Sequence, residues 1–466
     1  MRKLSFLIIM GAMPFLCVGQ ERNESSDPDI RYLGTSFTIP NDDDSSHNNL
    51  LINLVNNAPK GSAIHFDVYK FDDDDITSAL VDANRRGVAV HVLVHQENKN
   101  ETAFKTLAGG LHKAASLYYG QAGHAGSGGA KSVFDHNKLF LFSKTEFEKK
   151  TVQDIVVVSS GNLTKEAKEK HQATIIVSSK EYYSECLKYW HAQRAFLPLR
   201  GRRVNAYKRT WPRAGNARGY ANRIYFFPKV GGNDPLCNTL KPSSMGVGLY
   251  PNHRTAMNRV TKIRIVIANW YNSKTDIATV LNSLVLGGNC EVEIIGRTLE
   301  REKRIHKRVL DTLCSRLDAT QLRDRIKIYW LEMDNETYAH SKYMLVEGPW
   351  GNPIYTDDQR KIQWREFVFH GTRNWTNSGL RTQDNIALKI SDRSTYQAFL
   401  ENFNMLKELA NAPGSIEVLT RASTPSKPCN DRRILFTGVA LGLCLAVGGG
   451  IVFIQRTRVG DRGKGI

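Results

Sequence analysis

The stretch that decides the fold is Tyr-Ala-His-Ser-Lys-Tyr-Met-Leu-Val-Glu, residues 338–347. His340 and Lys342 stand two positions apart at the head of an apolar run, a pattern typical of a β-strand. Side chains two apart on a strand share one face, so we expect the imidazole and the ammonium group to project together. A second strand-like run ends in Gly-Thr-Arg-Asn-Trp-Thr, where the glycine turn directs Asn374 towards the same place. These residues predict a phosphate-binding site.

The same pattern occurs once more upstream. His136 and Lys138 open an apolar run, and the next run ends in Ser-Ser-Gly-Asn-Leu-Thr, with Asn162 at the matching position. The two histidines are 204 positions apart and the two asparagines are 212 apart, which fits a longer hairpin in the second copy. One His-x-Lys is a weak signal in a chain with 13 histidines, but two with matching sequels indicate an internal duplication.

The duplication extends to whole lobes, because a strand–helix–strand unit occurs twice. The units are predicted at residues 63–69, 76–86 and 88–95, and again at residues 261–268, 276–286 and 290–296. Further helices are predicted at residues 102–114, 181–196, 300–316 and 396–409. We therefore predict an α/β protein with two similar α/β/α sandwich lobes, packed with pseudo-twofold symmetry. The lobes span residues 50–200 and 224–411, joined by a basic linker at residues 201–223.

The two ends of the chain predict a membrane protein. Arg2, Lys3 and a short apolar run are typical of a secretory signal peptide, and an uncleaved N-terminal anchor is the alternative. The uncharged run at residues 434–454 is long enough to cross a bilayer at about 1.5 Å per residue, and its basic flank predicts a cytosolic tail. The predicted segments outside the lobes are the signal peptide (1–19), a polar segment (20–49), a stalk (412–433), the transmembrane helix (434–454) and a basic tail (455–466).

Charge and glycosylation signals add two expectations. The net charge of +18 indicates an anionic partner, either an acidic membrane surface or nucleic acid. Acceptor sequons at Asn23, Asn100 and Asn335 fit a glycosylated protein whose lobes are lumenal or extracellular, in the secretory pathway or at the cell surface.

The paired motifs predict one composite site for phosphodiester chemistry. One histidine attacks the phosphorus and the other protonates the leaving alcohol. The groups expected to hold the non-bridging oxygens are Lys138, Lys342, Asn162 and Asn374. This set requires no metal ion or other cofactor, and the sequence shows no metal-ligand spacing such as Cys-x-x-Cys.

These two motifs resemble those of the phospholipase D superfamily. The resemblance covers roughly residues 67–390 and implies a two-lobe α/β/α fold, a phosphohistidine intermediate and no metal. It also implies that His136 is the nucleophile and His340 the general acid. The family pattern is H-x-K-x-x-x-x-D, and here the last position is Ser143 in the first copy and Glu347 in the second. The resemblance therefore implies that Glu347 and Ser143 are the residues that orient the histidines, with a carboxylate at Glu347 and no such charge at Ser143.

Three functions follow from this resemblance. The leading one is a phosphodiesterase that hydrolyses or transfers phospholipid headgroups at a membrane. The alternatives are a secretory-pathway nuclease, for which nucleic acid is the substrate, and a degenerate, non-catalytic binder of anionic lipid, which Ser143 supports. Aromatic residues near the motifs favour lipid: Tyr338, Tyr343, Trp350, Trp364 and Trp375.

Overall fold

A computed structural model of the protein describes residues 30–417 with twelve gaps. The gaps are residues 41, 43–45, 113–114, 121–133, 197–221, 230, 242–246, 255–258, 300–301, 332–337, 357–360 and 411–415. The predicted signal peptide, stalk, transmembrane helix and basic tail lie outside the described residues, as does the linker up to residue 221. Among the described helices, none is long and apolar enough to cross a membrane.

Lobe 1 is built on a mixed sheet with the strand order β1-β8-β7-β6-β2-β3-β4. β2, β3 and β4 run parallel, while β6, β7, β8 and β1 follow in antiparallel pairs. The strands are β1 (Arg31–Thr38), β2 (Ala63–Val68), β3 (Ala89–His95), β4 (Ala115–Gly120), β5 (Phe134–Asp135), β6 (Lys138–Phe147), β7 (Lys150–Ser159) and β8 (Lys170–Ser178).

Lobe 2 repeats this order, because β18-β17-β16-β11-β12-β14 corresponds to β8-β7-β6-β2-β3-β4. The strands are β9 (Arg223–Phe227), β10 (Gly248–Leu249), β11 (Thr261–Ile267), β12 (Cys290–Leu299), β13 (Glu302–Lys303), β14 (Ile326–Leu331), β15 (Tyr338–Ala339), β16 (Lys342–Gly351), β17 (Gln363–Gly371), β18 (Gln383–Ile390) and β19 (Ile416–Glu417). The repeated order confirms the duplication and the prediction of two mixed-sheet α/β lobes.

Helices cover the outer face of each sheet, and a shared core fills the space between the lobes. The helices are α1 (His47–Asn56), α2 (Asp74–Arg85), α3 (Thr102–Gly110), α4 (Lys180–Phe196), α5 (Pro235–Leu240), α6 (Thr275–Gly287), α7 (Lys307–Cys314), α8 (Ala319–Arg325), α9 (Asn377–Arg381) and α10 (Arg393–Ala410). One apolar cluster lies under α1–α3 and another under α5–α9. A third, central cluster joins residues of both sheets with α4 and α10.

Two very short strands cross between the lobes and position the two His-x-Lys motifs. β5 belongs to the first half of the chain but pairs in parallel with β18 of lobe 2. β15 belongs to the second half but pairs in parallel with β8 of lobe 1. Each of these strands ends immediately before a motif histidine, so each histidine enters the site from the edge of the other lobe's sheet.

Most of the predicted elements are present to within a few residues, and two predictions are wrong. The polar segment at residues 20–49 contains β1, because Tyr32 and Phe37 pack against the central cluster while their strand pairs with β8. The helix predicted at residues 300–316 begins only at Lys307, because the chain first folds back to pair β13 with β12. β8 and β18 have no counterpart among the predicted elements.

Because the lobes share one core, we expect a single cooperative unfolding transition. Leu345→Ala removes a fully buried side chain from the central cluster and should lower the free energy of unfolding by about 2–5 kcal/mol. Leu409→Ala is the matched control, since that side chain is 49% exposed and its loss should change stability by about 0.5 kcal/mol or less. Urea denaturation measures both variants. Two separate transitions, or equal losses, would contradict a shared core.

Candidate active site

Backbone hydrogen bonds hold both motif histidines across the lobe interface. The His136 N–H donates to the carbonyl of Asp384 at 3.0 Å, directly after the pairing of β5 with β18. The His340 N–H donates to the carbonyl of His171 at 2.9 Å, directly after the pairing of β15 with β8. The two halves of the site are thus fixed by equivalent interactions, each made by the opposite lobe.

The His340 ring is oriented by an amide of lobe 1. Its Nδ1 lies 3.1 Å from Oε1 of Gln172, and the Ser160 hydroxyl donates to the same oxygen at 2.9 Å. An amide oxygen can only accept, so Nδ1 donates and the neutral ring carries its lone pair on Nε2. Gln172 is 2% exposed, which keeps water from competing for this contact.

The His136 ring has the equivalent contact with an amide of lobe 2. Its Nδ1 lies 3.0 Å from Oδ1 of Asn385, which also accepts from the Thr372 hydroxyl at 2.9 Å. Asn385 is fully buried, and His136 is 8% exposed. In both neutral imidazoles Nδ1 therefore carries the hydrogen and Nε2 carries the lone pair.

The motif lysines are buried beside the histidines. Lys138 is fully buried and its Nζ donates to the carbonyl of His136 at 2.9 Å, and Lys342 donates to the carbonyl of His340 in the same way. Burial lowers the pKa of Lys138 to about 7, and burial and the Lys138 charge lower that of Lys342 well below its usual range. Burial and both lysine charges lower the pKa of each histidine, so each ring is influenced by the lysine of the opposite motif as well as by its own.

The motif asparagines are half-buried and each keeps an unused acceptor. Neither Asn162 Oδ1 nor Asn374 Oδ1 has a hydrogen-bond partner within the described part of the chain. The backbone carbonyl of Asn162 is fixed by His47 Nε2 at 2.8 Å. A Cβ on Gly161 would lie 2.3 Å from that ring, so the glycine is required for this close approach.

The two predicted orienting residues do not touch the histidines. Ser143 Oγ accepts from the Ala63 backbone N–H at 2.8 Å, within the lobe 1 sheet. Glu347 accepts from the Tyr396 hydroxyl at 3.2 Å and lies 3.6 Å from Nη1 of Arg264. Each stands five positions beyond its motif lysine along a strand, about 16 Å from it. Their predicted role in orienting an imidazole is therefore wrong, because Gln172 and Asn385 occupy that position.

Arg297 is a further cation of the site in lobe 2. Its guanidinium lies 4.1 Å from the centroid of the Tyr338 ring, and Nη2 donates to Asn269 at 3.4 Å. Its buried Nε and Nη1 have no hydrogen-bond partner among the described residues. The charge of Arg297 contributes to the lowered pKa of both His340 and Lys342. Arg297 can therefore donate to an oxygen of a bound phosphoryl group.

Two of these functional residues could have been found in the sequence. Gln172 and Asn385 are 213 positions apart, almost the same offset as Asn162 and Asn374. Extending the repeat by about ten residues would have singled them out as paired amides. Arg297 has no such signal, because His95 stands at the equivalent strand position in lobe 1.

Two segments of the chain, residues 51–193 and 255–407, match the protein-family model described as "Cardiolipin synthase, PLD-like domain". They begin 204 positions apart, the same spacing as the two motif histidines, and together they cover more than half of the chain. The chain belongs to the phospholipase D superfamily. No sequence among curated proteins is significantly similar to this phospholipase D-like protein.

Several solved structures are similar to this phospholipase D-like protein to different degrees. Phosphatidylserine synthase from Haemophilus influenzae Rd KW20 has a TM-score of 0.50 and 14% identity, covering 84% of this chain and 87% of that one. Polyphosphate kinase from Porphyromonas gingivalis has a TM-score of 0.42 and 15% identity over 76% of this chain, which spans only 44% of the kinase. The phospholipase D family member Nuc from Salmonella typhimurium has a TM-score of 0.25 and 17% identity, and the match covers 36% of this chain and 93% of Nuc.

The two halves of the site differ in their carboxylates. Burial raises the pKa of Asp135 to about 6, and burial and Asp135 raise that of Asp67 well above its usual range. The charges of both carboxylates favour the protonated form of Lys138. Asp67 and Asp135 of lobe 1 correspond to Val266 and Ala339 of lobe 2, which carry no carboxylate. Asp384 of lobe 2, which pairs with Asp135, corresponds to His171 of lobe 1. The positive charge of Lys342 is therefore less well compensated by nearby carboxylates than the charge of Lys138.

Among the described residues, no group of three or more His, Cys, Asp or Glu is arranged to hold a metal ion.

The contact between Gln172 and His340 can be tested through the pKa of the ring. Gln172→Glu places a carboxylate beside Nδ1 and should raise the pKa of His340 by about one to three pH units, because the opposite charge favours the imidazolium form. Gln153→Glu, on the exposed end of β7, is the matched control and should leave that pKa unchanged. NMR titration of ¹³C-labelled histidine measures both. Equal shifts in the two variants would contradict the assigned contact.

Proposed function

We propose that this protein is a phosphodiesterase of phospholipase D type, which hydrolyses or transfers phospholipid headgroups through a phosphohistidine intermediate. The observation that carries the proposal is the pair of imidazoles, each held through Nδ1 by an amide of the opposite lobe and each next to a buried lysine. Two oriented Nε2 atoms beside two ammonium groups meet the requirements for double displacement at phosphorus.

In the proposed reaction, Nε2 of His136 attacks the phosphorus and the bond to the headgroup oxygen breaks. Nε2–H of His340 gives its proton to the leaving oxygen. Water or an alcohol then attacks the phosphohistidine, its proton returns to His340, and the N–P bond breaks. The lowered pKa of His340 leaves it neutral in the empty site, and the anionic phosphate favours its protonation on binding. Lys138, Lys342, Arg297 and the two motif asparagine side chains would hold the non-bridging oxygens.

Phospholipid is the substrate class we propose. The support is the family model, whose description names cardiolipin synthase, and the fold shared with a phosphatidylserine synthase along most of both chains. The aromatic residues near the motifs support a lipid substrate less than their positions in the sequence suggested. Tyr343, Trp350 and Trp375 are core residues and are at most 4% exposed. The argument for a non-catalytic binder weakens as well, since Ser143 lies away from both histidines.

A headgroup-release assay run beside digestion of single-stranded DNA tests this function. We expect release of headgroup from phospholipid vesicles, in EDTA as well as without it. His136→Ala should abolish the ³²P-labelled phosphoenzyme. His340→Ala should retain that intermediate with a substrate that has a good leaving group, because protonation then matters less. Loss of turnover in EDTA that a divalent ion restores would overturn the metal-free mechanism.

The control for these variants is Ser143→Ala, which should keep full activity because Ser143 contacts neither histidine. A phosphoenzyme that forms on His340 and not on His136 would reverse the two assignments. DNA digestion without headgroup release would replace the lipid substrate by nucleic acid. Neither activity, in a folded protein, would favour the non-catalytic binder of anionic lipid.

We also propose that the lobes are lumenal or extracellular in a single-pass membrane protein. Asn100, in an acceptor sequon, ends an exposed 3₁₀ turn at Gln96–Asn100, where a glycosyltransferase could reach it. Glycosidase treatment of the protein from a secretory cell should increase its gel mobility, and Asn100→Gln should remove part of that shift. Asn56→Gln is the matched control, because Asn56 is also exposed but lies outside any sequon. No shift would contradict the lumenal location.

A further inference from the structure

Lobe 2 contains a second cationic cavity outside the catalytic site. The cavity has a volume of about 290 Å³ and lies between the sheet and helix α5. Three cationic side chains line it, namely Arg223, Lys229 and Lys389, together with the rings of Tyr225 and Trp350. Among the described residues that line it, none is Asp or Glu.

The cations are held in place by the sheet and by aromatic rings. Arg223 and Lys389 are directly paired neighbours on β9 and β18. Lys389 is 2% exposed, and its Nζ lies 3.9 Å from the centroid of the Trp350 ring. The Trp350 indole N–H donates to the carbonyl of Thr239 at 3.2 Å, which fixes the ring under the amine. The cavity is therefore preformed.

The charges in this cavity are unfavourable as they stand. Burial, then Arg223 and Arg365, lower the pKa of Lys389 well below its usual range, and burial, then Arg223 and Arg373, lower that of Lys229 to about 8. Arg223 Nε is buried without a hydrogen-bond partner in the described part of the chain. Like charges that repel one another around a partly buried cavity are stabilised by a bound anion.

The nearby carboxylate Asp234 does not supply this balance. Both of its oxygens accept from the guanidinium of Arg373, at 2.7 and 2.9 Å, and Lys274 Nζ lies 3.1 Å from it. Two cations therefore already neutralise Asp234. Of the groups that shift the pKa of Lys229, Asp234 has the smallest effect.

The cavity is separate from the catalytic site. Lys389 is four positions after Asn385 on β18, and Asn385 contacts His136, so about 13 Å of strand lies between the two. Lys342 lines a different, smaller pocket and not this cavity. Tyr225 lines both, and its ring stacks on that of Phe369 at a centroid distance of 5.6 Å. A ligand could thus occupy the cavity without touching the reacting atoms.

We propose that this cavity is a second anion-binding site, which takes a phosphate group through Lys389, Arg223 and Lys229. Two or three cationic donors around one small cavity suit the several oxygens of a phosphate. The volume leaves room for a phosphate with a small polar substituent, so the phosphate of a lipid headgroup and free phosphate share the required chemistry. The inference does not depend on the proposed function of the catalytic site.

Calorimetric titration of the full-length protein with inorganic phosphate tests the proposal. We expect two sites in the unaltered protein. Lys389→Met should weaken one of them by about tenfold or more and leave headgroup release unchanged. Lys342→Met should weaken the other site and abolish turnover. Lys327→Met, which removes an exposed lysine from β14 of the same sheet, is the matched control and should change neither. Arg223→Gln repeats the test if Lys389→Met does not fold.

Vesicle flotation identifies the source of the phosphate. If Lys389→Met reduces retention on phosphatidic acid vesicles relative to phosphatidylcholine vesicles, the cavity binds a lipid phosphate. If retention is unchanged while one calorimetric site is lost, the ligand is soluble phosphate. An unaltered stoichiometry in both Lys389→Met and Arg223→Gln would overturn the proposal. Loss of turnover in Lys389→Met would also overturn it, because the cavity would then belong to the catalytic site.

Discussion

The structure depends on one reciprocal interaction, the hydrogen bond from each motif histidine to a buried amide of the opposite lobe. Asn385 of lobe 2 holds His136, and Gln172 of lobe 1 holds His340. The two-residue strands β5 and β15 are reciprocal in the same way, because each pairs through its backbone with a strand of the opposite lobe. Neither half of the site is complete within its own lobe. The large central core therefore has a chemical consequence, because only the packed pair of lobes orients both rings.

Neutral amides give this site an electrostatic character of their own. A carboxylate beside each Nδ1 would favour the imidazolium form, whereas an amide oxygen fixes the tautomer and adds no charge. Burial and two nearby lysines then hold both histidines neutral in the empty site. Positive charge in a dry site is costly, and an anionic phosphate relieves that cost. In the proposed reaction, substrate binding and protonation of His340 are thus linked.

The duplicated lobes share one topology, but different side chains surround the motif in each lobe. Lobe 1 places buried carboxylates behind its lysine, whereas lobe 2 adds Arg297 beside its own. The cationic cavity around Lys389 also lies in lobe 2. Lobe 2 is therefore the more cationic half at both places. This asymmetry is consistent with separate roles for the two histidines, since identical surroundings would give two rings of equal pKa.

The sequence by itself determined the duplication, the class of fold and the residues His136, Lys138, His340 and Lys342, because strand periodicity and a two-residue spacing are local properties of the chain. Tertiary structure alone decided which groups surround them. The carboxylate of Glu347 lies about 16 Å along the strand from Lys342, while Gln172 reaches His340 from 168 positions away. Tyr343 and Trp375 lie near the motifs in sequence but are buried in the core. Local patterns specify strands and faces, whereas contacts between distant strands follow from how the sheets pair and pack.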